Sequence, residues 1–151
     1  MSEPIIKHVI QTRDTNCVSA CLAMIANIPI DIVDAEFNDD YHNQMIETHE
    51  YLDKIGIPYR RCFTSEREAK NNHIYFMVVP SANIQGNLHL IVVHVVDENN
   101  TYVYDPNDGK EGKVSLSFFN KDEDAPYGYR NIKAWAIDFE FKAEDVAKMY
   151  A

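Results

Sequence analysis

Helical signals gather in the first half of the 151-residue chain and strand signals in the second, which predicts an α+β domain with a helix packed on a mostly antiparallel sheet. Two observations carry that expectation. The polar, turn-prone run 11–16 stops abruptly at Cys17, and from Val18 apolar residues recur at 18, 21, 22 and 25, the spacing of a helix. Farther on, HIYFMVV (73–79) and LHLIVVHVV (88–96) are rich in Ile, Val and aromatic residues and are bounded by Pro80, by Gly86 and Asn87, and by the polar run 97–100, as buried strands are.

Taken in order, residues 5–10 are expected as a short strand or extended lead-in that fixes Gln11 by pairing with the sheet. The helix from 17 to about 27 ends near Asn27, because Pro29 disfavours its continuation. Cys21 lies one turn after Cys17 on the same face and has the spacing of a packing residue. Residues 31–37 open with a cap signal and predict a short helix. Residues 41–55 place Met45, Ile46, Leu52 and Ile55 at spacings of three and four with Gly56 as a stop, an amphipathic helix.

A strand is expected at 59–63, a charged turn or helical segment at 65–72, and a loop at 81–87 that borders any groove beside His89. Asn99 and Asn100 turn the chain into a strand at 101–104, which ends in the turn residues 105–109. Strands follow at 114–119 and 131–141, the latter setting Ala134, Ala136 and Asp138 against Trp135, Ile137 and Phe139. Between them lies an acidic loop whose residues 122–129, with 81–87, are expected to set specificity. A short helix covers 143–150. No repeat, low-complexity run or linker interrupts residues 1–151, so one domain is expected.

The formal charge of −10 excludes partners that depend on neutralising phosphate, so neither nucleic acid nor an anionic membrane surface is expected; a neutral or basic partner is. No stretch approaches the ~18 apolar residues of a membrane span, and the start lacks a signal-peptide core. Cys17, Cys21 and Cys62 are odd in number and suit neither a disulfide framework nor a zinc knuckle, which points to a reducing, cytoplasmic compartment. There is no HExxH, CxxC or closely spaced HxH, so no metal site and no cofactor are expected.

The chemistry concentrates at Cys17. In the first turn of a helix, unpaired N–H groups and the positive end of the macrodipole favour an anion and lower a thiol pKa. Gln11, six positions earlier, carries a side-chain amide that can donate to an oxyanion, with the Cys17 N–H as second donor. His89 opens one strand and Asp105 closes the next, so a hairpin brings base and carboxylate together. Along that strand 89, 91, 93 and 95 share one face and 94 the other, so His89 and His94 cannot both face one sulfur; the Asp105-Pro106 turn selects His89.

With Gln11 and Cys17 at that spacing before a helix, a strand opening at His89 and Asp105-Pro106 after the next strand, the chain resembles a papain-like cysteine peptidase. It is most similar to the double-glycine leader peptidases of bacteriocin exporters and their short stand-alone relatives in bacteria and bacteriophages. The resemblance covers roughly 11–28 and 86–112. It implies a papain-like fold, a protein or peptide substrate, and Cys17 as nucleophile, His89 as base and acid, Asp105 as orienter and Gln11 as oxyanion donor. In a bacteriophage context the compartment is the host cytoplasm. Where the family usually has glycine after the nucleophile, this chain has Val18, whose branched side chain narrows the approach to the sulfur. Peptide or isopeptide hydrolysis is the leading expectation, with glutamine deamidation on the same fold and a non-catalytic binding domain as alternatives.

Overall fold

A computed structural model describes residues 5–62 and 68–151. The end of the strand expected at 59–63, and the start of the charged segment after it, lie outside the described residues. Helix α1 (Cys17–Ala26) has every residue from Ser19 to Ala26 buried, as befits a sequence apolar on all sides. It ends at Asn27 in the left-handed conformation, whose N–H returns to the carbonyl of Ala23.

The next helical stretch is longer than its sequence signal. Helix α2 (Ile30–Val33) runs through a π-helical segment (Asp34–Asn38) directly into α3 (Asp39–His42). The amphipathic helix expected over 41–55 is thereby cut in two. Asn43 and Met45 donate back to the carbonyls of Asp39 and Asp40, Gln44 turns to a positive φ of 62°, and Met45 is 76% exposed rather than on a core face. Helix α4 (Thr48–Ile55) then starts afresh from a reciprocal cap between Glu47 and Glu50 and stops at Gly56, φ 86°.

Strands β1 (Arg60–Arg61), β2 (His73–Pro80), β3 (Leu88–Asp97), β4 (Asn100–Tyr104) and β7 (Ala136–Lys142) form one antiparallel sheet in the order β1-β7-β2-β3-β4. β5 (Ser115–Ser117) and β6 (Tyr129–Asn131) pair separately and in parallel. Mixed helix and sheet with the cysteine at the mouth of the first helix is a papain-like α+β arrangement. One sheet face, with Ile74, Phe76, Leu90, Val92 and Phe141, closes against α1. The other, with Tyr75, Met77, Ile91 and Val93, closes over Leu116 and Ile132.

Two features correct the reading of the last strand. It begins at Ala136, not 131, and it does not alternate simply: Phe139 pairs with Phe76 while Ile137 pairs with Met77, leaving Asp138 as the extra residue of a β-bulge. Ile137 and Phe139 therefore bury in opposite cores instead of sharing a face. Helix α5 (Ala143–Met149) follows at once. Beyond it the Tyr150 hydroxyl donates to the Met24 carbonyl on α1 and accepts from the Lys7 N–H at 3.1 Å.

Among the described residues no helix is long and apolar enough to cross a membrane, and no group of three metal-binding side chains occurs.

Candidate active site

The turn before α1 is held by side chains, not by a simple helix cap. Asn16, fully buried, accepts from the Arg13 N–H at 3.0 Å and donates to Thr12 at 2.9 Å and to Asp34 at 3.0 Å. Asp34 in turn takes the Arg13 guanidinium through both oxygens at 2.8 and 2.9 Å. His42 bonds the Thr15 carbonyl at 2.6 Å through its Nε2. These contacts bring α2 and α3 against residues 12–16 and fix where the helix, and so the thiol, begins. Neither Asn16 nor Asp34 was legible as a positioning group, because their partners lie up to 21 residues away.

Cys17 is the first residue of α1, so its backbone N–H has no acceptor within the helix. Burial pushes the thiol pKa up, but the hydrogen bond and charge of His89, with the backbone amides of Leu90 and Val18, outweigh it and leave the thiol below its ordinary range. For His89, burial acts downward and is overcome by the hydrogen bonds to Asp105 and Cys17 and by their charges, so that its pKa rises to about 9. Both shifts favour a thiolate beside an imidazolium.

His89 Nε2 lies 2.7 Å from Asp105 Oδ1, which leaves Nδ1 as the nitrogen available to the sulfur. Asp105 is 1% exposed, and its carboxylate also accepts the Asn107 N–H and the Leu116 N–H, each at 2.8 Å. Its backbone carbonyl bonds the His8 ring at 2.7 Å. A carboxylate with three N–H partners in a buried turn cannot rotate away from the imidazole without stranding them.

Gln11 is placed by its own backbone, whose N–H donates to the Pro106 carbonyl at 2.9 Å, joining the lead-in to the Asp105 turn. Its side-chain Nε2 donates to the Arg13 carbonyl at 2.7 Å, and that acceptor dictates which end of the amide is nitrogen. The amide has a second N–H beyond this bond.

Two cavities of about 240 Å³ each meet at the thiol and share Cys17, Leu88 and His89. One contains the polar side chains of Gln11, Asn107 and the loop residues Ser81, Asn83 and Asn87. The loop 81–87 thus borders the groove as expected, pinned by Asn83, which exchanges two hydrogen bonds with the backbone of Val114. The acidic loop 122–129 lines neither cavity. The other cavity is more apolar, with Val18, Tyr41 and Leu90, and Asp138 in its wall. A larger cavity, about 450 Å³, opens on the far face of the sheet beside Trp135 and contains no cysteine.

The four residues singled out from sequence therefore converge, while the other cysteines and His94 do not. Cys21 is fully buried, donates to the Leu90 carbonyl at 3.4 Å, and has its pKa pushed well up by burial. His94 lies at the far end of β3 against Tyr102, and burial lowers its pKa.

Comparison with known proteins gives a match of residues 5–122 to the family model described as the Peptidase C39 family. Neither the curated proteins nor the solved structures gave a match.

Proposed function

Because this chain belongs to the Peptidase C39 family, the bacteriocin-processing cysteine peptidases, and so acts on a protein or peptide, we propose that Cys17, His89 and Asp105 are its catalytic triad and Gln11 its oxyanion donor. The observation that carries the reading is the His89 ring, tied to buried Asp105 at 2.7 Å through one nitrogen and lining the same two cavities as Cys17.

The thiol proton resides on His89 Nδ1, and the sulfur adds to the scissile carbonyl carbon as the C=O π electrons move to oxygen. The resulting oxyanion takes hydrogen bonds from the Cys17 N–H and the Gln11 amide. As it collapses, the C–N bond breaks and the leaving nitrogen receives the proton from His89, giving a thioester and a free amine. Water then gives a proton to His89 and its oxygen to the thioester carbon. Loss of the sulfur, which recovers that proton, releases the carboxylic acid. Asp105 keeps the ring aimed throughout and favours its charged form.

The test is incubation with a proteome-derived peptide library, read by mass spectrometry. New termini that are missing with Cys17→Ala support peptide hydrolysis by this thiol. Single glutamine-to-glutamate changes without new termini make the enzyme a deamidase, and neither change overturns the catalytic assignment.

A further inference from the structure

Asp138 is a carboxylate of the cleft wall that the mechanism leaves unused. The bulge in β7 takes it out of the pairing that its neighbours keep with β2, and the apolar cavity beside Cys17 includes it with Val18, Tyr41 and Leu90. No hydrogen bond or ion pair reaches its carboxylate among the described residues. Its backbone carbonyl is used, accepting the Cys62 N–H at 3.0 Å, so the bulge is anchored while the side chain is left over. Burial raises its pKa, opposed by the field of Arg61 on the neighbouring strand. The cavity wall also carries Thr48, but a half-buried carboxylate with no hydrogen-bond or ion-pair partner among the described residues is costly unless something supplies the missing cation or donor.

The surroundings say what that is. The thiolate and imidazolium beside it offset each other in charge, and Arg61 reaches Asp138 through its field without an ion pair among the described residues, so Asp138 is the acidic group in the wall of this cavity. A volume of about 240 Å³ is room for a side chain rather than for a lone water. The overall charge of −10 adds attraction for a basic peptide. Asp138 also lies beyond residue 122, where the family match ends, so it is a property of this chain rather than of the matched pattern.

We propose that Asp138 is a specificity-determining residue whose carboxylate receives a lysine or arginine side chain of the substrate, next to the scissile bond and on the side of Cys17 away from the Gln11 cavity. The aliphatic stem of such a side chain suits Val18 and Leu90, and its charged end pairs with the carboxylate. The proposal rests on the peptidase reading above.

The experiment maps cleavage sites of the wild type, Asp138→Asn and Asp138→Lys in the proteome-derived peptide library. In the wild type, one position flanking the cut should be enriched in Lys and Arg over Glu by about tenfold or more. Asp138→Asn should reduce that ratio several-fold, and Asp138→Lys should turn the same position towards Asp and Glu, an outcome that no folding defect produces. Cleavage without basic enrichment, or enrichment that survives in both variants, overturns the role of Asp138 and leaves the triad standing. No cleavage above the Cys17→Ala background removes the triad reading and this one with it.

Discussion

Cys17 and Cys21 sit one turn apart on α1, and His89 and His94 sit five residues apart on β3, yet within each pair the two side chains titrate in opposite directions. The thiol at the helix mouth is stabilised as an anion, while the thiol one turn deeper is held neutral. The ring at the strand's start is held as a cation, while the ring near its end is held neutral. Burial disfavours charge at all four. What differs is that the first turn of α1 and the first residues of β3 meet, so each charged form has the other as partner, with Asp105 behind. The interior positions have no such partner: burial alone lowers the pKa of His94, and at Cys21 burial is joined by the repelling charges of Cys17 and Asp105.

The largest break in this comparison is Cys17→Ala, which should lower kcat/KM for peptide cleavage by about 10⁴-fold or more, to the background rate. Cys21→Ala should leave kcat/KM within a few-fold. Gln11→Ala comes next: removal of one oxyanion donor should cost about 10²- to 10³-fold in kcat with KM little changed, measured by steady-state kinetics on one cleaved peptide.

A pH profile sharpens the same contrast. In the proposed mechanism leaving-group protonation requires the His89 cation, so kcat/KM should fall about tenfold per pH unit above a pKa of about 9. Iodoacetamide labelling of Cys17 should instead persist there, because the thiolate survives loss of that proton, and below that limb Cys17 should label well before Cys21. The stability linkage has the same sign. With the folded pKa raised from 6.5 to about 9, the His89 contribution is complete below the lower value and lost as pH rises through the upper one. A urea midpoint that drops more between pH 7 and pH 10 in the wild type than in His89→Ala would show it.

The smallest effect is expected from Cys21→Ala on folding. Removal of a buried sulfur from the α1 packing should cost about 1–2 kcal/mol, seen as a lower denaturation midpoint. A Cys21 variant as inactive as the Cys17 variant would erase the distinction between the two turns.

The catalytic candidates were legible because each is announced locally. A turn-rich run meets an apolar helix at Cys17, and the hairpin that joins His89 to Asp105 is bracketed by turn residues. Much of the sheet was legible for the same reason: β2, β3 and β4 fall within a residue or two of where their composition places them. The misreadings occur where a long-range contact overrules a local period. Residues 41–55 have helical spacing throughout, but backbone bonds from 43 and 45 close the preceding helix first. Residues 131–141 alternate on paper, but pairing with β2 inserts a bulge at Asp138, and no single residue of β7 signals it. Asn16 and Asp34 escaped notice because their meaning lies in each other.

The placement of β7 has a consequence in time. It is inserted between β1 and β2, and its Phe139 and Phe141 belong to the core against which α1 rests. A ribosome that has completed the turn carrying Asp105 has still to deliver this strand, at roughly 5–20 residues per second. During that interval the sheet lacks an inner member and helix α1 lacks part of its seat. The nascent chain is thus expected to remain proteolytically silent, sparing the machinery that makes it until the last strand slots home.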